Sequence, residues 1–97
     1  MSDFLKQPSE EFTVALDFSG DLETGETVAS KTVTASDIAD GSDQTAAVIV
    51  SSSIDGTKVR VRVRAGTDGH DYKITATVTT NLSQVYEHEV TMRVREL

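Results

Sequence analysis

The sequence predicts an all-β fold, a sandwich of six to seven mostly antiparallel strands, and three observations carry that prediction. β-Branched residues dominate, with 12 Val, 13 Thr and 4 Ile against 5 Leu and 8 Ala in 97 residues, and branching at Cβ favours the pleated strand over the helix. Apolar side chains recur at every second position in several segments, the period of a strand with one buried face. Clusters of Gly, Asp, Asn and Ser separate those segments, as turns do. Strands with one apolar face need two sheets to bury those faces; a small barrel is the competing layout.

The first strand is expected over Glu10 to Phe18, with Phe12, Val14, Leu16 and Phe18 on one face and Glu11, Thr13, Ala15 and Asp17 on the other. A loop through Leu22-Glu23-Thr24-Gly25 leads to a second run, Glu26 to Ala35. There the apolar parity changes between Val28 and Val33, so a bulge or a crossing between sheets is expected near Ser30-Lys31. The polar loop Ser36 to Asp43 has room for one helical turn at most. A third strand, Thr45 to Ile54, begins apolar on both parities (Ala46 to Val50), as where both faces are covered. Asp55-Gly56 signals a two-residue type I′ hairpin. Val59, Val61 and Val63 then alternate with Lys58, Arg60, Arg62 and Arg64. After the Gly66-Thr67-Asp68-Gly69 turn, Tyr72, Ile74, Ala76 and Val78 share a face, and after Asn81 to Gln84 so do Tyr86, His88, Val90, Met92 and Val94. Residues 1–9 are set apart as a flexible N-terminal arm, with residues 10–97 forming the single domain. Phe4 and Leu5 in that arm are candidates for ordering on a neighbour, the alternative being an ordinary frayed terminus.

Composition narrows the function. The net charge of −7 is unevenly placed: residues 1–44 hold 10 acids and 2 bases, residues 45–97 hold 6 acids and 7 bases. Without Cys there is no disulfide framework, thiolate nucleophile or sulfur-liganded zinc. The short apolar runs fall well below the roughly 18 residues of a membrane span, and Met1 to Ser9 lacks the pattern of a secretory leader.

The sharpest constellation is the basic row Lys58, Arg60, Arg62 and Arg64, spanning about 20 Å on one strand face. It is either a surface for an acidic partner or a solvated face beside Glu87 and Glu89, or beside Lys73, Thr75 and Thr77, on neighbouring strands. Negative net charge and the lack of interleaved aromatics disfavour nucleic acid. Asp37, Asp40, Asp43, Asp68 and Asp71 do not follow the EF-hand spacing, and loop Asp commonly caps turns, so no metal is expected. His70 and His88 accompany no nucleophile or metalloprotease motif. His88 reads as a hydrogen-bonded, partly buried side chain. No enzyme, cofactor or small-molecule substrate is expected.

Several elements together resemble a known family: Leu16-Asp17-Phe18-Ser19, Gly25-Glu26-Thr27-Val28, Thr32-Val33-Thr34, Gly66-Thr67-Asp68-Gly69 with Tyr72, Val78-Thr79-Thr80 and Met92-Arg93-Val94. The chain is similar, from about residue 7 to 95, to small virion proteins of tailed bacteriophages, immunoglobulin-like sandwiches of the fibre–tail adaptor or neck type. Many relatives have Trp at Phe18, and Gly is frequent at Ser83. The resemblance implies a non-catalytic structural subunit that docks on other virion proteins at the head–tail or tail–fibre junction, multimeric in the particle. It also implies residence in the virion, and in host cytoplasm during assembly. The candidate interaction surface is Lys58, Arg60, Arg62, Arg64, Phe4 and Leu5. The alternative is a stand-alone immunoglobulin-like binding or adhesion module for carbohydrate or protein.

Overall fold

The computed structural model describes residues 2–97, with Ser2 described by its backbone alone. The elements are β1 (Ser2–Lys6), β2 (Phe12–Asp17), β3 (Val28–Asp37), a single helical turn α1 (Thr45–Val48), β4 (Ile49–Asp55), β5 (Lys58–Val63), β6 (Asp71–Thr80) and β7 (Val85–Val94). They form a four-stranded sheet in the order β1-β7-β6-β3 and a three-stranded sheet in the order β2-β5-β4. All pairings are antiparallel except β1 on β7. This is the expected immunoglobulin-like sandwich, with the first strand added to the β7 side.

Period-two patterning builds the core. Val59, Val61 and Val63 of β5 are fully buried, as are Ile74, Ala76 and Val78 of β6 and Met92 and Val94 of β7. Leu16 and Phe18 close the cluster from β2 and its end. Burying a Val, Ile, Met or Phe side chain contributes roughly 1.5–3 kcal/mol, so these alternating positions hold the two sheets together.

Several expectations are corrected. The parity change in β3 is a register shift between Val28 and Ser30, and β3 stays on β6 along its length instead of crossing between sheets. The run Thr45 to Val48 is helical, with Ala46 and Ala47 exposed and only Val48 buried, so the segment is not a strand covered on both faces. The cause is local. Thr45 Oγ1 accepts the Ala35 N–H at 2.9 Å, and the Gln44 N–H donates to Ala35 O at 2.8 Å, so the chain satisfies the β3 edge while turning. The β4–β5 register pairs Asp55 with Lys58, which makes Gly56-Thr57 the two-residue loop. Gly56 has φ +62° and Thr57 lies outside the positive-φ region, the type II′ pattern with Gly first, not type I′.

The segment set apart as an arm contributes β1, whose residues Ser2 to Lys6 pair in parallel with Val90 to Val94. Its apolar residues Phe4 and Leu5 are adjacent, so no alternation marks it as a strand.

Candidate functional site

Three members of the basic row lie on β5, the central strand of the three-stranded sheet, and Arg64 follows its end. With its valines inward, Lys58, Arg60, Arg62 and Arg64 face outward and are exposed. Their acidic neighbours are in the same sheet. Arg60 Nε is 2.7 Å from Asp55 Oδ2, and Arg62 Nε is 2.8 Å from Glu11 Oε2. Lys58 stands in register between Asp17 and Asp55. Arg64 donates from Nη2 to Ala46 O at 3.0 Å, tying the strand to α1. Glu87 and Glu89, expected beside the row, are on β7 of the other sheet, and Lys73, Thr75 and Thr77 are on β6. Glu89 instead approaches Lys73 at 3.8 Å. Exposed Thr13, Ala15, Ser51 and Ser53 complete the face. Two of its four cations are paired, with Asp55 and Glu11, and half-exposed pairs of this kind contribute about 0–1 kcal/mol each.

Phe4 and Leu5 belong to the four-stranded sheet, and they diverge. Phe4 packs against the core, its ring centroid 5.8 Å from that of Phe12 in an edge-on contact that joins β1 to the opposite sheet. Leu5 points away and is 52% exposed. The six candidate residues are thus divided between the two sheets and the end of β5, and only Leu5 of the apolar pair is open to a partner.

Two buried polar groups, Lys6 and Glu26, carry no signal in the sequence. Lys6 is fully buried, and its Nζ donates to Gln7 O at 2.7 Å, Pro8 O at 3.3 Å and Ala65 O at 2.5 Å. Burial pushes its pKa down from the ordinary lysine value. Glu26 is buried against Thr80, whose hydroxyl donates to Glu26 Oε2 at 2.6 Å, and the Glu23 N–H donates to Oε1 at 2.9 Å. These contacts fasten the β2–β3 loop to the end of β6. Nothing local in the sequence marks either residue as buried, since the partners that enclose them, Ala65 O and the Thr80 hydroxyl, lie 59 and 54 positions away.

Each histidine is engaged by a carboxylate. His88 Nε2 bonds Asp21 Oδ2, and its ring lies 4.3 Å from that of Phe18, matching the expected half-buried, hydrogen-bonded histidine. His70 Nδ1 is 2.6 Å from Oδ2 of the buried Asp37. Three of the loop aspartates cap turns: Asp37 accepts the Ala39 N–H, Asp40 the Ser42 N–H and hydroxyl, and Asp43 the Thr45 N–H and hydroxyl, whereas Asp68 accepts the distant Glu96 N–H and Asp71 pairs with Arg95 at 2.9 Å. Among the described residues no group of three or more His, Cys, Asp or Glu side chains is placed to hold a metal ion. No described helix is long and apolar enough to cross a membrane.

The geometry therefore presents surfaces, edges and capped loops. No curated protein matches the chain. The family model described as podophage GP4 fiber-tail adaptor protein gp77 matches residues 6–93, nearly the whole sandwich, and the chain belongs to that family of phage structural adaptors.

Proposed function

We propose that the chain is a non-enzymatic connector subunit of a podophage virion, docking on other virion proteins at the junction of tail and fibre and present there in several copies. The family match over residues 6–93 carries this reading. The molecule's chemistry agrees with it. Both histidines are held by aspartates, and the outer face of the three-stranded sheet offers small side chains around matched charges, a surface suited to flat protein contact. A stand-alone carbohydrate module would present exposed aromatic rings, but Phe18 and Tyr72 are buried, and Phe4, Phe12 and Tyr86 are half-buried. The paired arginines and the net charge of −7 disfavour a phosphate backbone as partner. The reading places the protein in the virion, and in host cytoplasm while particles assemble.

The test is reconstitution with the purified tail and fibre proteins of the same phage, read by size-exclusion chromatography with light scattering. A stable complex with at least one of them is expected. Failure to bind any virion protein would contradict the proposal.

A further inference from the structure

The two sides of the sandwich are finished differently. On one side, edge strands β3 and β4 each carry a register irregularity, between Val28 and Ser30 and between Ile49 and Ser51. Such bulges spoil an edge for further pairing. On the other side pairing is regular, with β2 on β5 from Phe12 to Asp17 and β7 on β6 from Val85 to Arg93, and neither ladder shifts. β1 covers β7 only from Val90 to Val94. Among the described residues, Val85–Glu89 and the outer edge of β2 have no strand partner. An open groove runs between these two edges, lined by Ala15, Leu16 and Asp17 of β2 and by His88, Glu89 and Val90 of β7.

The groove has a definite chemistry. Asp17 lines it and is exposed, Glu89 lines it and approaches Lys73, and Glu87 is exposed one residue before the lining His88. Asp21 is bonded to His88, and burial, with the smaller push of Glu26, Glu23 and Asp21, raises the Tyr86 phenol pKa. Its inner wall offers Leu16 and Val90 with exposed Ala15 at the rim, and Leu82 and Val85, exposed by 51% and 63%, stand at the mouth of the β6–β7 hairpin.

We infer that this seam is a strand-acceptor site. It takes an extended segment of another virion protein, one that alternates basic and small apolar side chains and continues the track of β1 along β7. The inference deepens the adaptor reading and rests on it. Main-chain groups along the free edges supply the hydrogen bonds of β-augmentation, and alternate side chains of the incoming strand enter the groove or meet its acids. A second copy of this chain is the wrong occupant. Edge-to-edge pairing would bring Asp17, Glu87 and Glu89 against the same carboxylates, and like charges placed opposite destabilise a strand pair.

The full chain, labelled with ¹⁵N, is titrated with two synthetic ten-residue peptides, one alternating Lys and Val, the other Glu and Val, with amide shifts and hydrogen exchange as readouts. The Lys-Val peptide is expected to shift and protect amides within residues 13–17 and 85–89, and the Glu-Val peptide to leave them unchanged. Glu87→Lys, at an exposed position, should weaken binding roughly tenfold, with Glu87→Gln intermediate and both melting like the parent. Equal binding of the two peptides, shifts centred on the arginine row or β3, or no shift at all would overturn the site. A complex with a tail or fibre protein that survives Glu87→Lys unweakened would also overturn it while leaving the adaptor reading intact. Absence of any virion complex with the parent chain would instead contradict the adaptor reading.

Discussion

Lys6 Nζ reaches from the end of β1 to the carbonyl of Ala65, 59 positions later in the chain, at 2.5 Å and in full burial. Ala65 has φ +53°, an uncommon conformation for a residue with a Cβ. With Gln7 O and Pro8 O as its other acceptors, the ammonium has a partner for each of its three N–H groups. This contact joins the first strand to the loop after β5, and so joins one sheet to the other.

Lys6→Met keeps most of the stem but leaves these carbonyls without their donor, and should lower unfolding stability by about 1–3 kcal/mol in denaturant melts. The pH dependence has a definite sign. Because the folded-state pKa of Lys6 lies below 10.5, the unfolded chain binds more protons between that value and 10.5, and stability rises with pH across the window. The advantage of the parent over Lys6→Met should therefore widen as pH rises toward 10.5. A gap that narrows there would contradict the burial account.

Gly66 has φ +95°, and a Cβ there would sit 2.7 Å from Val94 Cγ2. Gly66→Ala combines left-handed backbone strain with a clash in the core and should cost about 2–4 kcal/mol. Gly25, at φ +82° with no atom near the added carbon, isolates the backbone contribution, so Gly25→Ala should cost only about 1–2 kcal/mol. Equal melting temperatures for the two variants would show that the Val94 contact does not matter.

Reversing one charge of the arginine row tests whether its pairs act within the fold. Arg62→Glu places a carboxylate beside Glu11, where the ion pair now measures 2.8 Å. At half exposure the expected loss is modest, about 1 kcal/mol. It should be smaller still in high salt, because exposed charges are screened. An unchanged melt at low salt would mean that the Glu11 pair contributes nothing.

Asp17, Asp40 and Asp43 are held below the usual carboxylate range by hydrogen bonds, chiefly from the Ser19 N–H, the Ser42 hydroxyl and the Thr45 hydroxyl respectively. A depressed acid contributes stability above its unfolded pKa of about 3.9 and loses it as pH falls through the folded value. The protein should hold its stability down to about pH 4 and lose it below. Carboxyl titration by NMR should show all three low. Ser42→Ala should raise Asp40 alone; if Asp43 moved with it, the turn would be titrating as a unit.

Alternation made much of this fold legible. β5 and β6 bury every second side chain, β2 alternates more and less exposed positions along its length and β7 does so toward its two ends, and the displaced parity between Val28 and Val33 announced the bulge. What stayed hidden depends on partners far away in sequence. β1 has two adjacent apolar residues and a parallel partner at the other end of the chain. The apolar run at Thr45 to Val48 suits a strand by composition, but Thr45 and Gln44 bond to Ala35 and turn it into a helix. The arginine row was visible as a row, while its matching acids, Glu11 and Asp55, emerged only with the register of β2, β5 and β4. Ser83, at φ +62°, occupies a conformation that suits Gly, which the residue type itself does not announce.

The central claim is that this sandwich connects tail and fibre, and cross-linking mass spectrometry on intact purified particles tests it most directly. The account predicts that the protein is present in the particle, with cross-links from its lysines, Lys58 and Lys73 among them, to a tail protein and to a fibre protein. Its absence from purified particles, or cross-links confined to the head, would contradict the account.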